Sequence, residues 1–304
     1  MTTWTSRPSR PRSDGVTTVN AEVDGRAAAE KFREEHRLGW QPLGDLVALI
    51  EQSAGIDVAV LDVGPDEHGL TMRDPRRDAV FIGVARTRHP MRQRSTLAHE
   101  LGHVVFGDWA DNTTCDWSAP SPAESRATAF ARHLLVPDEG LKAFLDGVGE
   151  VNLPTMSAVV QRFLVSPKIA AIALEQAGYI DADTKGAWWS VTAPQLAVRF
   201  GWGDQYRTLQ ADSDQRRAPQ RLLARAVQGY TEGVVSAQTI ATLRGITADQ
   251  AAAELREAGI FPAHQPVAWA DPGELLDVAV DLSALDDLLG TADDVLTTSE
   301  PDVG

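Results

Sequence analysis

The chain has 304 residues, 43% apolar and 23% charged, which supports a sizeable core and excludes a wholly disordered protein. Asp and Glu outnumber Lys and Arg by 43 to 28, and the formal charge of −15 argues against a protein whose main task is to coat nucleic acid. The single cysteine, Cys115, rules out an intrachain disulfide framework and a Cys-rich zinc module, and it suits a reducing cytoplasm.

No apolar run approaches the roughly 20 residues of a membrane span. Arg7, Arg10 and Arg12 are not followed by the apolar stretch of a signal peptide. Residues 1–24 alternate Thr, Ser, Pro and Arg and read as a disordered leader. A helical pattern follows over 26–37 (Ala28, Ala29, Phe32), and Pro42 and Asp45 open a second helix that Gly55 stops. Ile56 to Val63 reads as a buried strand. Leu70–Arg73 and Ala79–Ala85 read as a hairpin around the turn Asp74-Pro75-Arg76-Arg77-Asp78. Pro90 opens a long helix to Phe106, ended by Gly107, and another helix runs from Pro122 to Leu135. The fold class is therefore α+β: a small sheet, a long helix, then a mostly helical C-terminal region. The expected divisions are 1–24, a domain over 25–150, helical units over 151–187 and 188–270, and an acidic tail over 271–304.

Two stretches in the helical part look alike. Ser166-Pro167-Lys168-Ile169-Ala170 through Gly178 and Thr247-Ala248-Asp249 through Gly259 each have a Ser/Thr N-cap and an Ala-Gly end, which suggests a duplicated unit. Trp188, Trp189 and Trp202 between them are expected to pack. The tail from Asp271 holds ten acids and no Lys or Arg, with Leu275, Val278, Leu282, Leu285 and Leu289 at heptad-like spacing. It reads either as a helix that docks a basic partner surface or as a solvated end.

The sharpest chemical signal is His99-Glu100-Leu101-Gly102-His103. Residues one helical turn apart leave the same face, so both imidazoles can share one ion. Leu97, Leu101 and Val104 fall on the opposite side and anchor the helix. Glu100 is rotated about a quarter turn away, where it can reach a water beside the ion without taking its place. Two neutral imidazoles suit zinc. A third protein ligand is needed. The arrangement with Gly at 106 and His or Asp at 109 fails, because those positions are Phe106 and Trp109. Glu124 is the better candidate: it shares a helix face with Ala127, Ala131, Leu134 and Leu135, and a carboxylate on an apolar face needs a partner. Asp108 is the weaker one, as ligand or as partner of a histidine. Arg126, Arg132 and His133 lie on other faces, with His133 expected in solvent. Cys115 reads as an inert cysteine rather than a zinc cap.

The run Arg92-Gln93-Arg94-Ser95-Thr96-Leu97-Ala98-His99-Glu100-Leu101-Gly102-His103, with Glu124, Ala127, Phe130-Ala131 and Leu134-Leu135-Val136-Pro137, resembles the ImmA/IrrE family of metallopeptidases. Trp40-Gln41-Pro42-Leu43-Gly44-Asp45-Leu46-Val47 and Gly69-Leu70-Thr71-Met72-Arg73-Asp74-Pro75 fit it too, so the resemblance covers about residues 26–180. It implies a zincin-like core with His99, His103 and Glu124 on Zn2+ and Glu100 as general base. It further implies a zinc-dependent endopeptidase that relieves repression by cleaving a helix-turn-helix transcriptional repressor, in a mobile element or stress response. Two residues depart from the family pattern: Ser95 stands where an aromatic is usual, and Thr128 where Asn or Asp is common. Neither is expected to touch a ligand.

The sequence also leaves a rival reading, a non-proteolytic zinc-containing regulator that binds DNA or the repressor. Gln161 to Ala170 resembles the start of a helix-turn-helix, but only Arg162 and Lys168 are basic there, so direct DNA binding is not expected. For the peptidase reading, strand Ala79–Ala85 is the expected sheet edge for an extended substrate.

Overall fold

Val58, Ala59 and Val60 are all buried, and such a continuous apolar run suits a strand covered on both faces. A computed structural model describes residues 14–64, 69–108 and 121–263. In it this run is strand β1 (Asp57–Leu61), followed by β2 (Gly69–Asp74) and β3 (Ala79–Ala85). The sheet order is β1-β3-β2: β1 runs parallel to β3, with Val58 opposite Ile82, and β2 runs antiparallel to β3, with Thr71 opposite Ile82. Asp74 accepts from the Arg76 amide at 2.9 Å and closes the β2–β3 turn expected from the sequence.

This order corrects one expectation. Strand β3 is central, not an edge. Beyond β1, Val60 exchanges two backbone hydrogen bonds with Arg217, at 2.9 and 3.1 Å. Among the described residues no strand pairs with the outer side of β2. A hairpin pattern fixes which strands are partners but not on which side a parallel third strand joins, and here β1 joins beside β3, which leaves β2 at the edge.

Ahead of the sheet come helix α1 (Asp14–Glu35) and helix α2 (Leu46–Leu49), which runs on into a π-helical turn over Ile50–Ala54. Asp45 caps α2 by accepting from the Ala48 amide at 3.2 Å, and Gly55 ends the turn with φ of 66°. The start of α1 corrects the expected leader over 1–24, since the helix begins at Asp14 and Ala21 is buried. No apolar stripe announces this helix; tertiary contact holds it instead. A Cβ at Gly25 would lie 2.5 Å from Ala129 Cβ and 2.7 Å from two backbone atoms of the helix beneath it. Residues 1–13 lie outside the described residues.

The helix beneath is α4 (Pro122–Leu135), which follows the long helix α3 (Pro90–Phe106). Then come α5 (Asp138–Phe144), α6 (Leu153–Phe163), α7 (Pro167–Gln176), α8 (Ala182–Trp188), α9 (Ala193–Arg199) and α10 (Gly203–Ser213). A last group comprises α11 (Gln220–Thr231), α12 (Ala237–Arg244) and α13 (Ala248–Glu257). One apolar core joins residues from Ala29 in α1 to Tyr206 in α10. A smaller one gathers Tyr230, Ile240, Ala241, Ala251 and Leu255 from α11–α13. The expected division at 187/188 does not coincide with a gap in the first core, because Ala193, Leu196 and Trp202 belong to it. Trp202 donates to Ser157 Oγ at 3.0 Å, whereas Trp189 is exposed. The two look-alike stretches cap alike: Ser166 and Thr247 each accept from the amide three residues on, and Gly178 and Gly259 close both helices at φ of 76° and 72°.

No single helix among the described residues is long and apolar enough to cross a membrane. The α6/α7 pair passes by length and composition but is bent by 109°.

Candidate metal centre

Helix α3 is fixed before its histidines are reached. Pro90 opens it, and Gly107 ends it in the left-handed conformation at φ of 68°. Arg94 donates to the carbonyls of Gly44 and Leu43 at 2.5 and 2.7 Å, which ties the helix to the loop before α2. Gln93 donates to the carbonyls of Ala85 and Ser213 at 3.0 and 2.9 Å, joining β3 and α10 to the same turn. Leu97, Ala98 and Leu101 are buried and Val104 packs at the margin of the core, as the helical spacing predicts.

Helix α4 crosses α3 closely. A Cβ at Gly102 would stand 3.1 Å from both Ala127 Cα and Phe130 Cδ1, so the glycine between the histidines admits the second helix. Ser121 caps α4 by accepting from the Glu124 amide at 3.1 Å. The side chain of Glu124 thereby starts in the first turn, facing the histidines.

Three of the expected site residues converge. His99 Nε2 lies 3.0 Å from Glu124 Oε2, His103 Nε2 lies 3.3 Å from Glu124 Oε1, and the two Nε2 atoms are 3.1 Å apart. Ligands about 2.0–2.1 Å from a tetrahedral zinc stand about 3.3 Å from one another. His99, His103 and Glu124 are thus a group that could hold a metal ion. His103 is buried, while His99 and Glu124 keep partial access to solvent. Burial first, and the neighbouring His103 second, hold the His99 imidazole below its ordinary pKa, against the opposing pull of Glu124 and Glu100. A neutral ring is the form that binds a metal.

The surrounding groups orient these side chains. His103 Nδ1 is 3.5 Å from Asp108 Oδ2, and Arg126 pairs with Asp108 while its guanidinium lies 4.8 Å from the Phe106 ring centre. Asp108 therefore stands behind a histidine and outside the convergent group. Thr128 Oγ1 is 3.3 Å from His99 Nδ1. This corrects the expectation that Thr128 touches no ligand: it sits one turn beyond Glu124 and so shares its face. Glu100, which is buried, accepts from Thr71 Oγ1 at 2.7 Å. Nothing in the sequence singled out Thr71, because its partner depends on strand β2 lying over α3.

His133 is corrected as well. It is 7% exposed, not solvated. Its Nε2 is 2.7 Å from Glu22 and its Nδ1 3.4 Å from Asp138, and Arg132 pairs with the same Glu22 carboxylate. These hydrogen bonds to Asp138 and Glu22 outweigh burial and raise the imidazole's pKa. The partner sits in α1, where no local pattern points to it. Cys115 and the acidic tail lie outside the described residues.

An HExxH helix crossed by a helix that adds a carboxylate, beside a small sheet, defines a metallopeptidase type of site. Residues 51–175 match the family model of the IrrE N-terminal-like domain, peptidase family M78, so this stretch of the chain is similar to the peptidase domain of the ImmA/IrrE proteins. His99, Glu100, His103 and Glu124 all fall inside the matched stretch. No curated protein sequence was found to match the chain.

Proposed function

We propose that the chain is a zinc-dependent endopeptidase, with His99, His103 and Glu124 as zinc ligands and Glu100 as general base. The observation that carries this reading is the convergence of two imidazole nitrogens, 3.1 Å apart, and the two oxygens of one carboxylate, 3.0 and 3.3 Å from them, on two crossing helices. Zinc is the ion that two imidazoles and one carboxylate suit. Held there, the ion supplies Lewis acidity to the water and to the scissile carbonyl. Glu100 takes the water's proton on a carboxylate oxygen and passes it to the leaving amine nitrogen. The outer side of β2 is the strand edge next to this site, and we place the extended substrate segment there.

A helix-turn-helix repressor as substrate, with a place in stress response or mobile-element regulation and in the cytoplasm, rests on the family resemblance. Direct contact with DNA by α6 and α7 is disfavoured: Lys168 lies 5.1 Å from the Trp189 ring centre and Arg162 donates to Gln41 at 3.2 Å. Both basic side chains of that unit are engaged within the protein.

The test is co-expression with the product of a neighbouring repressor gene, read on a gel. Wild type is expected to cleave it, Glu100→Gln to retain zinc without cleaving, and His99→Ala or Glu124→Ala to lose zinc. Cleavage by Glu100→Gln at the wild-type rate would overturn the assignment.

A further inference from the structure

Strand β2 closes over the carboxylate of Glu100 from two positions. Thr71 Oγ1 donates to Glu100 Oε2 at 2.7 Å and lies 3.3 Å from the Glu100 carbonyl oxygen. Two residues earlier the strand carries no side chain. A Cβ at Gly69 would be 2.5 Å from Glu100 Oε1, 2.8 Å from Glu100 Cγ and 2.8 Å from Thr96 Cγ2. One carboxylate oxygen is therefore hydrogen-bonded by the strand, and the other is packed under its backbone.

The clamp is rigid on its inner side. Thr71 pairs in register with Ile82, which is fully buried, so the strand cannot slide without exposing core. Thr71 and Glu100 are themselves 8% and 7% exposed. On the inward face of the sheet the positions beside Thr71 are Val80, Ile82 and Val84. A hydroxyl in that apolar company is expensive unless it has a polar partner, and the partner here is the Glu100 carboxylate. The alternate residues Leu70 and Met72, on the opposite face of this edge strand, are exposed.

We propose that Thr71 is a positioning residue for the general base. This inference rests on the peptidase reading of the site. The hydroxyl holds Glu100 in the one orientation from which it takes the proton. Because Thr71 belongs to the strand that borders the substrate, pairing of a peptide with β2 stiffens the same hydrogen bond. The Thr71 hydroxyl acts through Glu100, its hydrogen-bond partner.

Thr71→Val removes the hydroxyl and keeps the branched shape, and Thr71→Ser keeps the hydroxyl. All three proteins are loaded with zinc and assayed on a quenched fluorogenic peptide library. Thr71→Val is expected to lose kcat by about tenfold to a hundredfold, a part of what a well-placed general base contributes. Its KM and zinc content stay at the wild-type level, and Thr71→Ser restores kcat. In crystal structures of the metal-free proteins, the Glu100 carboxylate holds one orientation in wild type and Thr71→Ser but turns or spreads in Thr71→Val. Unchanged kcat in Thr71→Val, a loss confined to KM or zinc content, or an unmoved Glu100 carboxylate would each overturn the proposal. If wild type cuts no peptide, the peptidase reading fails, while the crystal structures still decide whether Thr71 holds Glu100.

Discussion

Replacing Gly25 by alanine tests how α1 is held, because the same change made elsewhere should have the opposite sign. In a solvent-facing helix, Gly→Ala is worth about 0.8–1.0 kcal/mol in favour of folding. Gly186 in α8 offers that setting: it is exposed, and an added Cβ would meet nothing within 4 Å. At Gly25 the added Cβ would fall 2.5 Å from Ala129 Cβ, 2.7 Å from the Arg126 carbonyl oxygen and 2.7 Å from the Phe130 nitrogen. Two of those atoms are backbone and cannot rotate away, so α1 must lift from α4. Overpacking of this kind costs about 1–3 kcal/mol, and contact this close puts it near the upper end. After the propensity gain, Gly25→Ala should destabilise by about 2 kcal/mol. At about 2–4 °C per kcal/mol that is a fall in Tm of about 4–8 °C, against a rise of about 2–4 °C for Gly186→Ala. Thermal melts followed by far-UV circular dichroism of the two variants and wild type measure both. A Gly25→Ala protein as stable as wild type would refute the close crossing of α1 and α4.

The Glu22 cluster should give stability a two-sided pH dependence. The hydrogen bond from His133 and the charge of Arg132 hold the Glu22 pKa at about 2 instead of 4.5. That depressed value contributes stability above pH 4.5 that is lost as pH falls toward 2, while the raised His133 value contributes stability below pH 6.5 that is lost as pH rises through it. At face value the Glu22 shift is about 3 kcal/mol, and because the side chain is 36% exposed, screening reduces it to about 1–2 kcal/mol. Urea midpoints for Glu22→Gln should lie below wild type near pH 6, with the gap closing toward pH 2; a gap that does not change with pH contradicts the pairing. Phe130, fully buried between the Phe32 and Phe106 rings at 6.1 and 6.3 Å, should cost about 3–5 kcal/mol when changed to alanine. Denaturation curves would show it, and a loss under 1 kcal/mol would place Phe130 outside the core.

The parts of the molecule with a local code could be read from the sequence. The histidines of α3, its start at Pro90 and its end at Gly107 follow from helical spacing and caps, and the β2–β3 hairpin from its turn. Glu124 stood out because a carboxylate on an apolar face needs a partner. What escaped depends on contacts between distant segments. The packing of α1 depends on Gly25 meeting α4, and the burial of His133 depends on Glu22, 111 residues away. The edge position of β2 depends on which side β1 joins, and Thr71 acquires its role only once that strand lies across Glu100. Thr128 has a local signal of its own, since its place one turn after Glu124 puts it on the histidine side of α4.

The central claim is that two imidazoles of α3 and one carboxylate of α4 grip a single ion. Elemental analysis of the purified protein by mass spectrometry, alongside His99→Ala, His103→Ala and Glu124→Ala, tests it most directly. About one zinc per chain in wild type and a marked loss in each variant is the expected result. A wild-type protein that neither contains nor takes up zinc, or three variants that retain it in full, would contradict the claim.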